Sequence, residues 1–240
     1  MKEKIISNFV ELHNALKEYR KNQIWVFRGQ RDDPKWKLKP KAGRDRIKIP
    51  DQNLFRAWKR MAAAYENRIF KSDWDWLTIA QHYGLPTRLL DWTLNPLAAT
   101  YFAVNHSLES QNDGVIYAYY DERAEDAGLA GEPKQKGQPE QKEPFDLEEG
   151  IKKVRPRSVT QRLVMQSGIF TIHNPPDKCL EDSLNKNSKI KLEKIIIKRN
   201  YFEALLIDLS YYGINESTLF PDFDGLSGYM TWWYSLDDTK

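Results

Sequence analysis

Three short clusters hold the side chains that could do chemistry. The first is Phe27-Arg28-Gly29-Gln30, where an arginine closes the apolar run Ile24-Trp25-Val26-Phe27. A guanidinium at a strand end offers a fork of donors suited to a phosphate or a carboxylate, and the following glycine lets another backbone or a ligand approach closely. The same four residues also fit an arginine tied to a carboxylate of the protein itself. The second cluster runs from Gln81 to Thr93, a density of polar groups that a mere connector would not need. Within it, the rings of Tyr83 and Trp92 could stack on a flat ligand, and Asp91 or Thr93 could hold Arg88. His82 could act as an acid or base, or be simply hydrogen-bonded at a helix end. The third cluster, Gln161 to His173, enters a strand through Gln166-Ser167-Gly168. Gln166 can orient a ligand by hydrogen bonds, yet an amide cannot replace a carboxylate as a base or cation stabiliser.

The elements that must position these groups follow from spacing and punctuation. Ser7 can cap a helix to about Arg20, with Phe9, Val10, Leu12, Leu16 and Tyr19 at helical intervals. Ile24 to Phe27 suits a buried strand, and the proline-interrupted basic stretch from Arg31 to Arg46 a surface loop. Asn53 to Phe70 reads as a helix and Asp73 opens a second, stopped by Gly84. Pro86 pushes Leu85 to extended geometry, so Leu85 to Thr93 is expected to be extended. Asn95-Pro96 matches an N-cap with proline at the first helical position, opening an apolar helix. Gly114 to Tyr120, Ile169 to His173 and Lys191 to Ile197 are strands by their β-branched and aromatic content. Ser158 can cap a short helix through Val164, Tyr201 to Tyr212 is a helix ended by Gly213, and Leu219 to Gly225 leads into an aromatic-rich terminal helix. Residues 122–149, rich in Gly, Pro, Gln, Lys and Glu, read as a mobile polar insertion. Strands and helices without regular alternation favour an α+β domain, a central mixed or antiparallel sheet flanked by helices.

Composition narrows the classes further. A length of 240 residues fits one domain, and a 40% hydrophobic, 12% aromatic chain has ample core material. With 37 basic against 34 acidic residues, the net charge of +3 drives no general attraction to nucleic acid or anionic membrane. No signal-peptide run or membrane-length apolar stretch is present, so a cytoplasmic protein without membrane attachment is expected. The single cysteine, Cys179, excludes an internal disulfide, and the scattered His13, His82, His106 and His173 have no zinc-ligand spacing, so no metal is expected.

Trp25-Val26-Phe27-Arg28-Gly29-Gln30, Gln81 to Thr93 with Pro96 to Ala103, Gln166 to Thr171, and Leu219 to Gly225 resemble successive signatures of the FRG domain, named for its Phe-Arg-Gly motif. On this likeness the domain spans residues 1–240. The order of motifs is also distantly similar to the ADP-ribosyltransferases, in which a strand-end arginine, a Ser-Thr-Ser strand with a small-residue helix, and a later strand carrying a glutamate build a split site. That likeness implies NAD as substrate, with Arg28, Thr93, Gln166 and His82 at the chemistry and Phe27, Gly29, Gln30, Tyr83, Gly84, Thr87, Arg88, Asp91 and Trp92 around the dinucleotide. Arg28 would grip phosphates or the adjoining ribose, Thr93 would orient the nicotinamide ribose, and Tyr83 would stack on nicotinamide. Asp91-Trp92-Thr93 departs from Ser-Thr-Ser, and Gln166 stands where the glutamate belongs. The expected functions are an NAD-using transferase or glycohydrolase, as a toxin or phage-defence effector with an unidentified protein or nucleic-acid acceptor, or a noncatalytic module that recognises a nucleotide or modified nucleotide. A third reading makes the motif arginines structural. Oligomeric state is left open.

Overall fold

The computed structural model describes residues 2–20, 25–33, 35–44, 48–65, 70, 72–105, 111–122, 142–186 and 189–236. Ile24, residues 66–69 of the expected second helix, His106, and residues 123–141 of the expected polar insertion lie outside them. In chain order the elements are β1 (Lys2–Ile6), α1 (Phe9–Leu16), β2 (Val26–Arg31), α2 (Asp51–Ala62), α3 (Asp73–His82), β3 (Leu89–Thr93), α4 (Pro96–Val104), β4 (Gly114–Asp121), β5 (Gly150–Val154), α5 (Gln161–Met165), β6 (Gly168–Asn174), β7 (Ile190–Ile197), α6 (Phe202–Tyr211), α7 (Glu216–Leu219) and α8 (Phe223–Tyr234). The strands form one seven-stranded mixed sheet in the order β1-β7-β4-β2-β3-β6-β5. Only the β1–β7 pair is parallel; the other pairs are antiparallel. This is the expected α+β architecture.

One junction in the sheet governs the site. β2 pairs with β4 from Val26 to Arg31, whereas on its other side it meets β3 at a single residue pair, Phe27 with Thr93. β3 turns instead to β6, with which it pairs along its whole length. The sheet is thus two ladders, β1-β7-β4-β2 and β3-β6-β5, joined by one rung. They are held together by a shared apolar layer on one face, where Val26, Val115, Tyr117 and Tyr119 of the first ladder meet Leu90, Trp92 and Ile169 of the second. The Trp92 and Tyr119 rings lie 5.3 Å apart within it.

Helix α4 covers the opposite face of the first ladder. Asn95 caps it, its side-chain oxygen accepting from Leu97 N (2.9 Å) and Ala98 N (3.4 Å), with Pro96 at the first turn. The close approach is set by Gly29 and Gly114. A Cβ at Gly29 would overlap the Ala99 carbonyl, and one at Gly114 would come within 2.5 Å of the Ala103 carbonyl. Glycines on the strands and alanines on the helix let two backbones meet. Burying Ala98, Ala99 and Ala103 beside Phe27, Ile116 and Ile195 fixes β2 laterally.

Helix α3 is buried almost throughout, because Trp74, Trp76, Leu77 and Ala80 pack with Phe55 of α2 and with Leu89, Phe170 and Ile172 of the second ladder. Ser72 is its N-cap, and Gly84, at φ 82°, ends it in the left-handed conformation that glycine adopts readily.

Several boundaries differ from the sequence reading for identifiable reasons. Asn8, not Ser7, caps α1; Ser7 instead donates through N and Oγ to the Glu11 carboxylate. β2 continues to Arg31, so Arg28 sits in mid-strand, because β4 offers backbone partners for all six residues. Thr160 rather than Ser158 caps α5. Strands β1 and β5 and helix α7 were not expected. Within the stretch read as a polar insertion, residues 142–149 pack on the body: Trp74 Nε1 donates to Lys142 O (3.0 Å), and the Phe145 ring lies 5.1 Å from that of Phe55.

Candidate functional site

Where β2 and β3 diverge, the gap opens into a cleft of about 810 Å³. Arg28 and Gln30 form one wall, α3 from Thr78 to its Gly84 end another, and Asp91 to Thr93 the junction; Arg162, Leu163 and Gln166 close the third side, with Trp36, Lys41 and Arg44 at the mouth.

Arg28 occupies the place where further β2–β3 rungs would be. Its Nη1 donates to the Asp91 carbonyl at 2.8 Å, and its Nε donates to Gln30 Oε1 at 3.3 Å. The Asp91 carboxylate is 4.0 Å from Nη1, and the Arg28 side chain remains 19% exposed. Burial lowers the affinity of this guanidinium for its proton, Asp91 opposes that shift, and neighbouring Arg44 adds to it. A cation held in so poor a solvent, short of a close carboxylate, favours an incoming anion.

Asp91 is held by a relay. The Leu89 N–H donates to Thr87 Oγ1 (3.1 Å), Thr87 Oγ1 donates to Gln81 Oε1 (2.6 Å), and Gln81 Nε2 donates to Asp91 Oδ2 (2.9 Å). Taking Thr87's proton on Oε1 fixes which way the Gln81 amide points. The Asp91 side chain is 58% exposed, and it is the sole carboxylate lining the cleft among the described residues.

On the far wall the Arg162 guanidinium lies 4.3 Å over the Phe220 ring. Burial pulls its proton affinity down, against the pull of Asp91 and Asp222. His82 is likewise lowered, first by burial and then by Arg162, with Asp222 opposing, a shift that favours the neutral imidazole. Tyr83 projects at the rim with its ring edge-on to His82 at 4.9 Å and is 71% exposed.

Of the residues singled out from sequence, Arg28, His82, Thr93 and Gln166 line one cleft, as do Phe27, Gly29, Gln30, Tyr83, Gly84, Asp91 and Trp92. Their chemistry is not equally free. Thr93 Oγ1 donates its only proton to Gln166 O at 2.6 Å and accepts from Asn95 N at 2.9 Å. Gln166 Nε2 donates to Leu219 O at 3.0 Å, tying the end of α5 to α7. The Trp92 ring faces the core, its Nε1 donating to Thr171 Oγ1 (3.0 Å), and is not placed to stack on a ligand.

Arg88 and Thr87 do not line the cleft. Arg88 is 7% exposed and makes a two-pronged pair with Asp51, through Nε at 2.7 Å and Nη2 at 2.9 Å, with Nη1 donating to Asn174 Oδ1 at 3.3 Å and the Phe145 ring below. Asp91 and Thr93, expected as its holders, point elsewhere. Asp51 satisfies Arg88 because β3 begins beside the first turn of α2, a contact across 37 positions that local spacing does not reveal.

Lys41, Arg44, Trp36 and Gln81 were missed as individual site residues. The loop bearing the first two is pinned by Ala42 N donating to Thr87 O (3.1 Å) and by Gly43, where any Cβ would strike Pro176. No sequence signal marks that docking. Arg162 did carry one: it stands four residues before Gln166, an interval that puts both on one side of a helical turn. Among the described residues no group of His, Cys, Asp or Glu could hold a metal ion, and no helix is long and apolar enough to cross a membrane.

Comparison with known families matches residues 23–112 to the FRG domain. No curated protein and no solved structure matches the chain. The resembling stretches at Gln166 to Thr171 and Leu219 to Gly225 fall beyond the matched residues. Those residues carry β2, α3, β3 and α4 and so the one-rung junction itself; over that stretch the chain is similar to the FRG domain.

Proposed function

We propose that the cleft is a recognition site for a phosphate-bearing nucleotide. The observation that carries this reading is the charge of its walls: among the described residues, Arg28, Lys41, Arg44 and Arg162 line it against one carboxylate, Asp91. Arginines suit phosphate oxygens because the guanidinium donates in a fixed fork. Burial weakens the hydration of Arg28 and Arg162, which raises the gain from an anion placed between them. At the rim, Tyr83 and Trp36, both exposed, supply flat faces for a base. A cleft of about 810 Å³ accommodates a nucleotide or a dinucleotide.

Recognition without turnover is favoured by the state of the two groups that a transferase would use. The Thr93 proton and the Gln166 amide are engaged within the protein, and among the described residues no glutamate lines the cleft. Calorimetry with NAD and with ADP as probes is the test. Wild type is expected to bind at least one, and Arg28→Ala to weaken that binding about ten-fold or more, the size expected for removing a charged hydrogen-bond donor. Failure of wild type to bind either probe, or equal binding by the variant, rejects the reading.

A second reading, an NAD-consuming transferase or glycohydrolase serving as a toxin or phage-defence effector, is favoured by the meeting of Arg28, Thr93 and Gln166 in one cleft. It requires nicotinamide release by wild type above buffer, lost in Arg28→Ala.

A further inference from the structure

Four cations explain an anion, but they leave one lining group without a purpose: a carboxylate in a phosphate site repels the ligand that the rest of the site attracts. Asp91 is nevertheless built in with care. Its backbone carbonyl is capped by Arg28, one carboxylate oxygen is fixed by Gln81, and Gln81 is fixed in turn by Thr87. The relay positions the carboxylate without neutralising it, since Gln81 is uncharged and the Arg28 Nη1 stands off at 4.0 Å. Its other oxygen, Oδ1, has no hydrogen-bond partner among the described residues, and the side chain faces the cleft 58% exposed. Such an oxygen accepts protons from hydroxyl or amino groups, and it repels a second phosphate.

We propose that Asp91 reads the ribose of the bound nucleotide, accepting hydrogen bonds from its vicinal 2′- and 3′-hydroxyls while the flanking guanidiniums of Arg28 and Arg162 take the phosphates. The inference rests on the nucleotide reading above and names the ligand class: ribonucleotides with a free diol, in preference to 2′-deoxynucleotides and 2′-phosphorylated nucleotides. The chemistry fits the spacing of charge. A diol supplies two donors to one carboxylate, and the phosphates of the same nucleotide lie within a few bonds of that diol, as Arg28 lies within a few ångströms of Asp91. A 2′-phosphate would place its charge against the one carboxylate among the described lining residues, whereas a 2′-deoxy sugar would offer its 3′-hydroxyl alone, one donor in place of two. A carboxylate that recognises the 2′-hydroxyl is a solution that dinucleotide sites on other folds also use.

The experiment compares wild type with Asp91→Asn by calorimetry, using the four ribonucleoside diphosphates, their 2′-deoxy counterparts and inorganic pyrophosphate. The substitution keeps size and one acceptor, and a thermal melt confirms that each protein is folded. For wild type, at least one ribonucleoside diphosphate is expected to bind about ten-fold more tightly than its deoxy form, the ratio expected for hydrogen bonds to a charged group. In Asp91→Asn that ratio should shrink toward one while pyrophosphate binds as tightly as before or tighter, because a negative charge has been removed. Equal wild-type affinity for ribo and deoxy forms overturns the proposal while leaving the nucleotide reading intact. So does an unchanged ratio in the variant. If neither nucleotides nor pyrophosphate bind wild type, the nucleotide reading fails and takes this inference with it.

Discussion

Arg28 within β2 and Arg88 just before β3 are the same residue type, yet their surroundings differ. Arg88 meets Asp51 with two close contacts, shut away from water, while Arg28 has a carbonyl, an amide oxygen and a carboxylate held at 4.0 Å. Removing one partner of a buried pair leaves the other charge stranded, at roughly 3 to 5 kcal/mol. Arg88→Met should therefore lower stability by about that much in urea denaturation, and the loss should largely vanish in the double variant that also carries Asp51→Leu. Arg28→Ala should cost far less stability and act on binding instead. If the two single variants unfold alike, the division between a structural and a functional arginine is wrong. Both arginines stood out in the sequence by their motif neighbours. What separated them, Asp51 on one side and an open cleft on the other, depends on segments tens of residues away.

At the scale of elements, the legible parts were those whose signals are local. Asn95-Pro96 announced α4, and Gly84 announced the end of α3. Strands β1 and β5 were not legible. Lys2–Ile6 is mostly exposed and is a strand through its pairing with β7, where Lys2 meets Glu193, and Gly150–Val154 owes its extension to β6. Gly29 was expected to admit a close neighbour, either backbone or ligand; the neighbour is the backbone of α4. Gly29→Ala must then push the helix off β2 and should cost about 1 to 3 kcal/mol or more. At Gly84 the added methyl would meet nothing, so Gly84→Ala should cost only the left-handed backbone penalty, about 1 kcal/mol. Thermal melts of the two variants check the order. A milder effect at Gly29 than at Gly84 would contradict the helix–strand contact.

For the whole molecule, one fully buried histidine couples stability to pH. His173 lies in a chain of hydrogen bonds in which Trp92 Nε1 donates to Thr171 Oγ1, Thr171 donates to His173 Nε2, and His173 Nδ1 donates to Lys178 O at 2.7 Å. This chain needs the neutral ring, and burial lowers the His173 pKa to about 4. The unfolded chain takes up a proton near the ordinary 6.5 while the folded one does not, so stability is full above 6.5 and declines as pH falls toward 4. The decline attributable to this residue is about 3 kcal/mol. His173→Gln, unfolded in urea at pH 7 and pH 4.5, should show a smaller loss between the two than wild type; an identical loss would clear His173 of the effect. The α+β class and the positions of most strands along the chain could be read from patterning, since periodicity reports which residues are buried. The splitting of the sheet could not, because it arises where two ladders choose outer partners over each other. β2 and β3 pair as strands at Phe27 and Thr93 alone, so beyond that rung the two halves of the sheet are joined by side chains and border the cleft. A ligand held between Arg28 and Arg162, as proposed above, would bridge the two halves at a second place, so its binding should raise the stability of the sheet as a whole.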